Sequence, residues 1–376
     1  IYIAAAYSLW LIAYRKDIKK LLYAICDMRY AIPIILFLIS GIISILVAPD
    51  KTAALGLFKA YIFDPILFFL VMIFNIKDKK DINLIIRSLI AGATLVSIHA
   101  IWQKLTGQVA EDGRVIGVFG YSSNYLALYL APILILEISY WLLVIKKKKF
   151  ITQLLNYLIT ILLLLALWFS GSRAGMAAVI IGVISYLVIS FWQQIKSSKL
   201  VLLFLCFCVL AFSWLAWQMT KPNWDLSKDE GGRITSSNNI RWEIWKTTIQ
   251  DILPANNHWL LGVGLGNYQN YFTELTQDRV NFPEWIAPKA LTPHNLFLTI
   301  WVNLGLLGLI SFIWLIVLFF RHTNNYLSTI LFSVMITILA HGMLDSPYWK
   351  NDLAILFWLL LSLTYINYYK KEGENV

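Results

Sequence analysis

Two short stretches of this chain place cationic or basic side chains where helices are expected to begin, and a third carries an arginine on the apolar face of a helix. The first is Ser170-Gly171-Ser172-Arg173-Ala174-Gly175, which joins two apolar runs with almost no loop. Small residues permit a tight turn and close helix packing, and Ser172 can cap the helix that starts at Ala174. A helix N-terminus offers free N–H groups and partial positive charge. Arg173 adds a full charge and a bidentate fork, so the chemistry on offer is anion binding. Contact with lipid headgroups is the plainer alternative.

The second stretch is Thr292-Pro293-His294-Asn295, just before an apolar run that continues through Leu304-Gly305-Leu306-Leu307-Gly308. Proline near a helix start is expected, and it leaves His294 at the helix mouth. An imidazole, with an ordinary pKa of about 6.5, can take a proton from an attacking hydroxyl. A histidine that only fills the interface is the alternative.

The third is Asn239 to Leu253, which reads as an amphipathic helix with Asn238 or Asn239 as N-cap. At about 100° per residue, Ile240, Ile244, Trp245, Thr248, Ile249 and Ile252 share one half of the wheel, and Glu243, Lys246, Thr247 and Gln250 the other. Arg241 falls inside the apolar arc. It either snorkels to water or points into a cavity that holds an anion.

What must position these residues is a membrane-spanning frame. Of 376 residues 59% are hydrophobic and 14% charged, with mean hydropathy +0.68, where a soluble domain is roughly a quarter charged. A bilayer core takes about 20 apolar residues per helix. The runs that qualify are residues 1–14, 31–47, 54–74, 82–101, 124–145, 150–169, 174–192, 200–219, 296–320, 326–344 and 353–369. The expected fold is all-α: a polytopic helical bundle of eleven spans in one integral membrane domain, residues 1–376. Because the chain opens at Ile1 inside an apolar run, an earlier start is expected.

Lysine and arginine fall in alternate loops: Arg15 to Arg29, Lys77 to Lys80, Lys146 to Lys149, Lys196 and Lys199, Arg321, and Lys370 with Lys371. The positive-inside rule makes that side cytoplasmic. The net charge of +10 is then a topological signal, and no nucleic-acid partner is expected. Arg173 and His294 come out on the opposite side, as does the longest polar segment, residues 220–295, expected to form an ordered extracytoplasmic cap that carries Arg241. Cys26, Cys206 and Cys208 give no disulfide framework. There is no internal repeat, and no carboxylate pair, His-x-x-x-His or Asp-x-Asp motif on the outward segments promises a metal site.

At these residues the chain resembles the O-antigen ligase and O-antigen polymerase superfamily. The resemblance rests on Ser170 to Gly175, on Asn239-Ile-Arg-Trp242, on Gly262-Val-Gly-Leu-Gly-Asn-Tyr268, and on Pro293-His-Asn-Leu-Phe297 with Leu304 to Gly308. It extends to Arg114, Gly117, Phe119 and Asn124, and to His341, Gly342 and Asp345. It implies transfer of a glycan from an undecaprenyl diphosphate carrier to an acceptor hydroxyl of a glycan, lipid or protein, inverting and without metal or other cofactor. The site would face the periplasm or cell exterior of a bacterial inner membrane. By position, Arg173 and Arg241 resemble the arginines that hold the carrier diphosphate, and His294 the histidine that assists the acceptor. Arg114, Asn124, Asn295, His341 and Asp345 are supporting positions. Ligase, polymerase and protein O-glycosyltransferase stay open. A transporter of the bicarbonate-transporter kind is the rival class, because Lys59, Asp64, Arg87, His99 and Glu137 lie within apolar runs, where ionisable groups are costly.

Overall fold

Several helices in this chain begin where a side chain can satisfy the first free N–H groups. The computed structural model describes residues 28–76, 78–110, 112–120, 122–144, 150–194, 237–277, 290–321 and 325–373. Among them the regular elements are all helical. In order, α1 is Met28–Val47, α2 Lys51–Phe58, α3 Asp64–Asn75, α4 Lys79–Thr106, α5 Ser123–Val144, α6 Phe150–Phe169 and α7 Arg173–Gln194. They are followed by α8 Ser237–Thr247, α9 His258–Leu261, α10 Tyr268–Thr276, α11 Leu296–Phe320, α12 Tyr326–Gly342 and α13 Asn351–Gly373. Asp50 caps α2 by accepting from Thr52 N and Ala53 N, Asp78 and Asp81 close a capping box on α4, and Asn295 caps α11 by accepting from Leu298 N.

Seven helices among the described residues are long and apolar enough to cross a membrane: Arg29–Val47, Lys51–Asn75, Lys79–Thr106, Ser123–Leu142, Ile151–Phe169, Arg173–Phe191 and Leu296–Phe320. Tyr326–Gly342 and Asn351–Asn367 are shorter apolar helices. The protein is therefore an all-α, multi-pass membrane protein. The expected spans at 1–14 and 200–219, the three cysteines and the lysines at 146–149, 196 and 199 lie outside the described residues.

The chain divides into two compact units. The first comprises Ile1–Phe74, Phe207–Arg321 and Gly342–Leu359. Here α1 runs antiparallel to α11: Tyr30 Oη donates to Leu318 O at 3.4 Å and Ser44 Oγ to Asn303 O at 2.7 Å. Tyr348 anchors the aromatic core of this unit. Its hydroxyl donates to Tyr61 O at 2.6 Å and accepts from Trp358 Nε1 at 2.9 Å, while Phe312 stacks on Phe357.

Helix α11 is broken. Gly305 adopts φ 69°, ψ −174°, so the run is two half-helices. A break there strips the carbonyls one turn back of their helical donors. Val302 O instead accepts from Val263 N at 2.8 Å, and Asn303 O from Ser44 Oγ. A side chain at position 305 would run into Leu260 O, so the loop at 258–264 and the break fit one another. The apolar run 296–320 carries no sign of this beyond the glycine itself.

The second unit comprises Asn75–Cys206, His322–His341 and Leu360–Val376. Small residues on α7 admit its neighbours: a Cβ on Gly182 would collide with Thr337 Oγ1 on α12 and sit 2.7 Å from Ile135 on α5, and one on Gly175 would sit 2.9 Å from Ala127. Glu137 on α5 accepts from Thr160 Oγ1 on α6 at 2.6 Å.

Candidate active site

Within the first unit, three elements converge on His294. The imidazole Nδ1 lies 3.4 Å from Asp345 Oδ1, and the same carboxylate oxygen accepts from Ser346 N at 2.9 Å. A carboxylate can only accept, so this pairing places the hydrogen on Nδ1 and leaves the Nε2 lone pair available. His294 is about one-third exposed and Asp345 nearly buried. His294 also has φ 51°, a left-handed conformation that a residue with a Cβ adopts at a cost, and such strain gathers at functional sites.

The neighbours of His294 hold that conformation. Trp245 Nε1 donates to Pro293 O at 2.8 Å. On the other flank, Asn295 accepts from Leu298 N as the cap of α11 and donates through Nδ2 to Met343 O at 3.0 Å. Below, Thr299 Oγ1 and Ser346 Oγ are 2.7 Å apart. Gly342 lets the chain pass: a Cβ there would sit 2.9 Å from Leu296 Cβ. The helix mouth and the turn at 343–346 are thus tied together on both sides of the imidazole.

Arg241 belongs to the same unit. It lies on α8 one turn before Trp245, so the two share a helix face, and it is partly exposed. The helix differs from the expected one. It starts at Ser237, and after Thr247 it widens into a π-turn over Thr248–Ile252, closed by Leu253 N donating to Thr248 O at 2.9 Å. The inward stripe differs from the expected one: Ile249, expected on the apolar face, is 52% exposed. Glu243 and Thr247, expected on the polar face, are buried. Ile240, Ile244, Ile252 and Leu253 pack with Val263, Tyr268 and Phe272 against Leu298 and Val302 of α11. Thr248 Oγ1 and Tyr268 Oη share a hydrogen bond of 2.8 Å inside this core, and burial pushes the Tyr268 phenol up from its ordinary range.

In the second unit Arg173 is the first residue of α7 and is exposed. Ser172 Oγ accepts from Gly175 N at 3.2 Å, capping the helix. Gly171, at φ 64°, passes beneath Arg114: a Cβ there would sit 2.6 Å from Arg114 Cδ. Arg114 Nε donates to Asp112 Oδ2 at 2.6 Å and Nη1 to Asn124 Oδ1 at 3.5 Å. The guanidinium beside Asp112 holds that carboxyl below its usual range. Lys104 Nζ donates to Gly113 O at 2.9 Å, so this end of the unit carries Lys104, Arg114 and Arg173. His341 is buried against Gly175.

The structure therefore brings together His294, Asn295 and Asp345, with Arg241 one turn from the tryptophan that holds their loop. It brings Arg114 onto Asn124 and onto the turn before Arg173. Asp112 and Trp245 have positioning parts that spacing alone did not reveal. Three of the five ionisable residues that kept a transporter open have partners within the fold: Lys59 pairs with Asp64 at 2.9 Å across a π-turn, and Glu137 with Thr160. No group of three or more His, Cys, Asp and Glu among the described residues is placed to share a metal ion.

No curated protein matches the chain. Arg114, Asn124, His341 and Asp345 lie outside the stretch that the family model covers. That stretch, residues 158–313, contains Arg173, Arg241, His294 and Asn295 and matches the family model described as O-Antigen ligase, so this part of the chain is similar to the O-antigen ligases.

Proposed function

We propose that this protein is a membrane glycosyltransferase that moves a glycan from undecaprenyl diphosphate to an acceptor hydroxyl, on the extracytoplasmic face of a bacterial inner membrane. The observation that carries the reading is the His294–Asp345 pair at the mouth of a spanning helix, within a stretch similar to the O-antigen ligases. In this reading the acceptor hydroxyl gives its proton to His294 Nε2 as its oxygen bonds to the anomeric carbon. The bond from that carbon to the diphosphate breaks in the same step, and the diphosphate leaves with the electron pair. Displacement from the opposite face inverts the anomeric centre.

Asp345 fixes the imidazole tautomer and stabilises the cation formed as the proton arrives. Arg241, in the same unit as His294, binds phosphate oxygens, and Arg173, at the start of α7, is by its own surroundings a phosphate-binding residue. Negative charge on the diphosphate grows as the bond breaks, so donors fixed there favour the transition state over the ground state. No cofactor takes part in these steps. The acceptor class separates a ligase from a polymerase or a protein glycosylase.

The test is transfer by purified protein in proteoliposomes containing an undecaprenyl-diphosphate-linked glycan and a hydroxyl acceptor. Appearance of a new glycosidic linkage, lost in His294→Ala, supports the reading. Translocation of the intact lipid-linked glycan with no change in covalent linkage overturns it in favour of transport. Surface glycans of a deletion strain then divide the subclasses: shortened chains mean a polymerase, unattached chains a ligase.

A further inference from the structure

The loop between α8 and α10 holds three consecutive large apolar side chains in the open: Trp259, Leu260 and Leu261 are 43%, 45% and 40% exposed. They form α9, which turns on Asn256 and Asn257 at φ 48° and 60°. On an aqueous cap such a patch would have nothing to cover it. Its depth supplies the cover.

Helix α9 does not pack against the mouth of α11. The carbonyls of Leu260 and Leu261 lie against Gly305, nine residues into the apolar run that starts at Leu296, which is about 13 Å along the helix. The run of 25 residues is about 37 Å long against a hydrocarbon core of about 30 Å, so Gly305 sits roughly 10 Å below the hydrocarbon border. A second ruler agrees. Asn303, beside α9, bonds to Ser44, three residues before the end of the apolar run of α1 at Val47. That places it about 5 Å inside the border.

Irregular backbone at such depth is tolerated only where the protein satisfies its polar groups, and four hydrogen bonds serve that end here. Trp259 N donates to Leu253 O at 2.8 Å, Trp259 O accepts from Trp301 Nε1 at 2.7 Å, Gly262 N donates to His258 O, and Val263 N takes the Val302 carbonyl freed by the break in α11. The half-helix break and the loop therefore complete one another's hydrogen bonding. Within residues 258–261 the side chains facing outward are apolar, and the exposed Asn256 and Asn257 lie at the turn just before them.

We infer that residues 258–261 form a re-entrant segment that dips into the outer part of the bilayer, with Trp259, Leu260 and Leu261 packed among lipid acyl chains. The partner is bilayer hydrocarbon, reached at the roughly 5–10 Å depth typical of interfacial helices. The assignment is independent of the glycan-transfer reading, since it uses only the spanning helices and the hydrogen bonds around Gly305.

A nitroxide attached at Leu260→Cys in the reconstituted full-length protein reads this out, with the unsubstituted protein giving the background from the native cysteines. A label at the exposed Lys246→Cys supplies the aqueous reference. If the inference holds, relaxation of the Leu260 label is enhanced far more by oxygen, which partitions into hydrocarbon, than by a water-soluble nickel chelate, with the reverse at position 246. Enhancement dominated by the nickel chelate at Leu260, as on an aqueous cap, overturns it. So does protection from both agents, which would mean that a protein partner or a second copy covers the patch. Leu261→Cys gives the same reading should Leu260→Cys fail to accumulate.

Discussion

His294 and Asp345, fifty-one positions apart, face one another across 3.4 Å, joined by a loop held on one flank from α8 and on the other by the cap of α11. The distance is longer than an ordinary hydrogen bond, as catalytic pairs often are before substrate tightens them. The pair gives a graded expectation. His294→Ala should cost about 10²- to 10⁴-fold in turnover, the worth of a general base. Asp345→Asn keeps the shape but loses the charge that fixes the tautomer, and should cost less, about ten- to a hundredfold. Steady-state kinetics on a lipid-linked glycan check this ordering. Asp345→Asn at wild-type turnover would show that the pairing only packs.

Trp245 carries a second expectation. Phenylalanine there preserves the ring but removes the donor to Pro293 O, and a net loss of about 1 kcal/mol corresponds to roughly fivefold. Trp245→Phe should lower kcat by about that factor while KM for the donor and membrane accumulation stay near normal. An unchanged kcat would mean that Asn295 alone holds the loop.

Much of the frame was legible in the sequence because the bilayer imposes a simple rule on length and apolarity. The nine expected spans within the described residues all appear as helices, and run 296–320 matches α11 to the residue. What escaped the pattern is what hydropathy does not encode. The break at Gly305 goes with the tertiary approach of Leu260, and the inward face of α8 takes in Glu243 and Thr247, which the apolar arc left out. Among the candidate site residues, the position of His294 and Asn295 at a helix mouth could be read from the sequence. The donation by Trp245 could not, because an apolar face accounts for a tryptophan equally well.

Arginine geometry at position 241 gives a third expectation. If Arg241 binds phosphate oxygens through its planar fork, lysine keeps the charge and loses the second donor. Arg241→Ala should reduce transfer by about a hundredfold or more, and Arg241→Lys should recover only a minor part of it. Activity above half of wild type in either variant returns Arg241 to a snorkelling role.

The Asp112–Arg114 pair makes a pH-dependent expectation. Its carboxyl is held below the usual range by the arginine, so the stabilisation is present at neutral pH and lost as pH falls through the lowered value. Both side chains are well exposed, so the pair is worth under about 1 kcal/mol. The gap in melting temperature between wild type and Asp112→Asn should be small at about pH 7 and shrink only as pH falls below the ordinary carboxylate range, through the lowered value. A gap that persists in acid would assign the effect to something other than the ion pair.

Two glycine substitutions in one unit should act with opposite sign. At Gly305 the backbone sits at φ 69°, a Cβ would collide with Leu260 O, and Leu261 C would be 2.7 Å away. Backbone at this φ with an extended ψ is essentially confined to glycine and alone costs about 1–3 kcal/mol for a residue with a Cβ. The collision adds to this by separating α9 from the broken helix, with loss of the Val263–Val302 hydrogen bond. Gly56 lies in the interior of α2, and a Cβ there would meet nothing within 4 Å. Alanine at that position gains up to about 1 kcal/mol from helix propensity and reduced unfolded-state freedom. Thermal unfolding in detergent, followed by the fraction remaining monodisperse, should therefore show Gly305→Ala melting well below wild type and Gly56→Ala at or slightly above it. Were Gly305→Ala to melt with wild type, α11 would not need its break, and the hydrogen bonds from Val263 and Ser44 would be incidental to the fold.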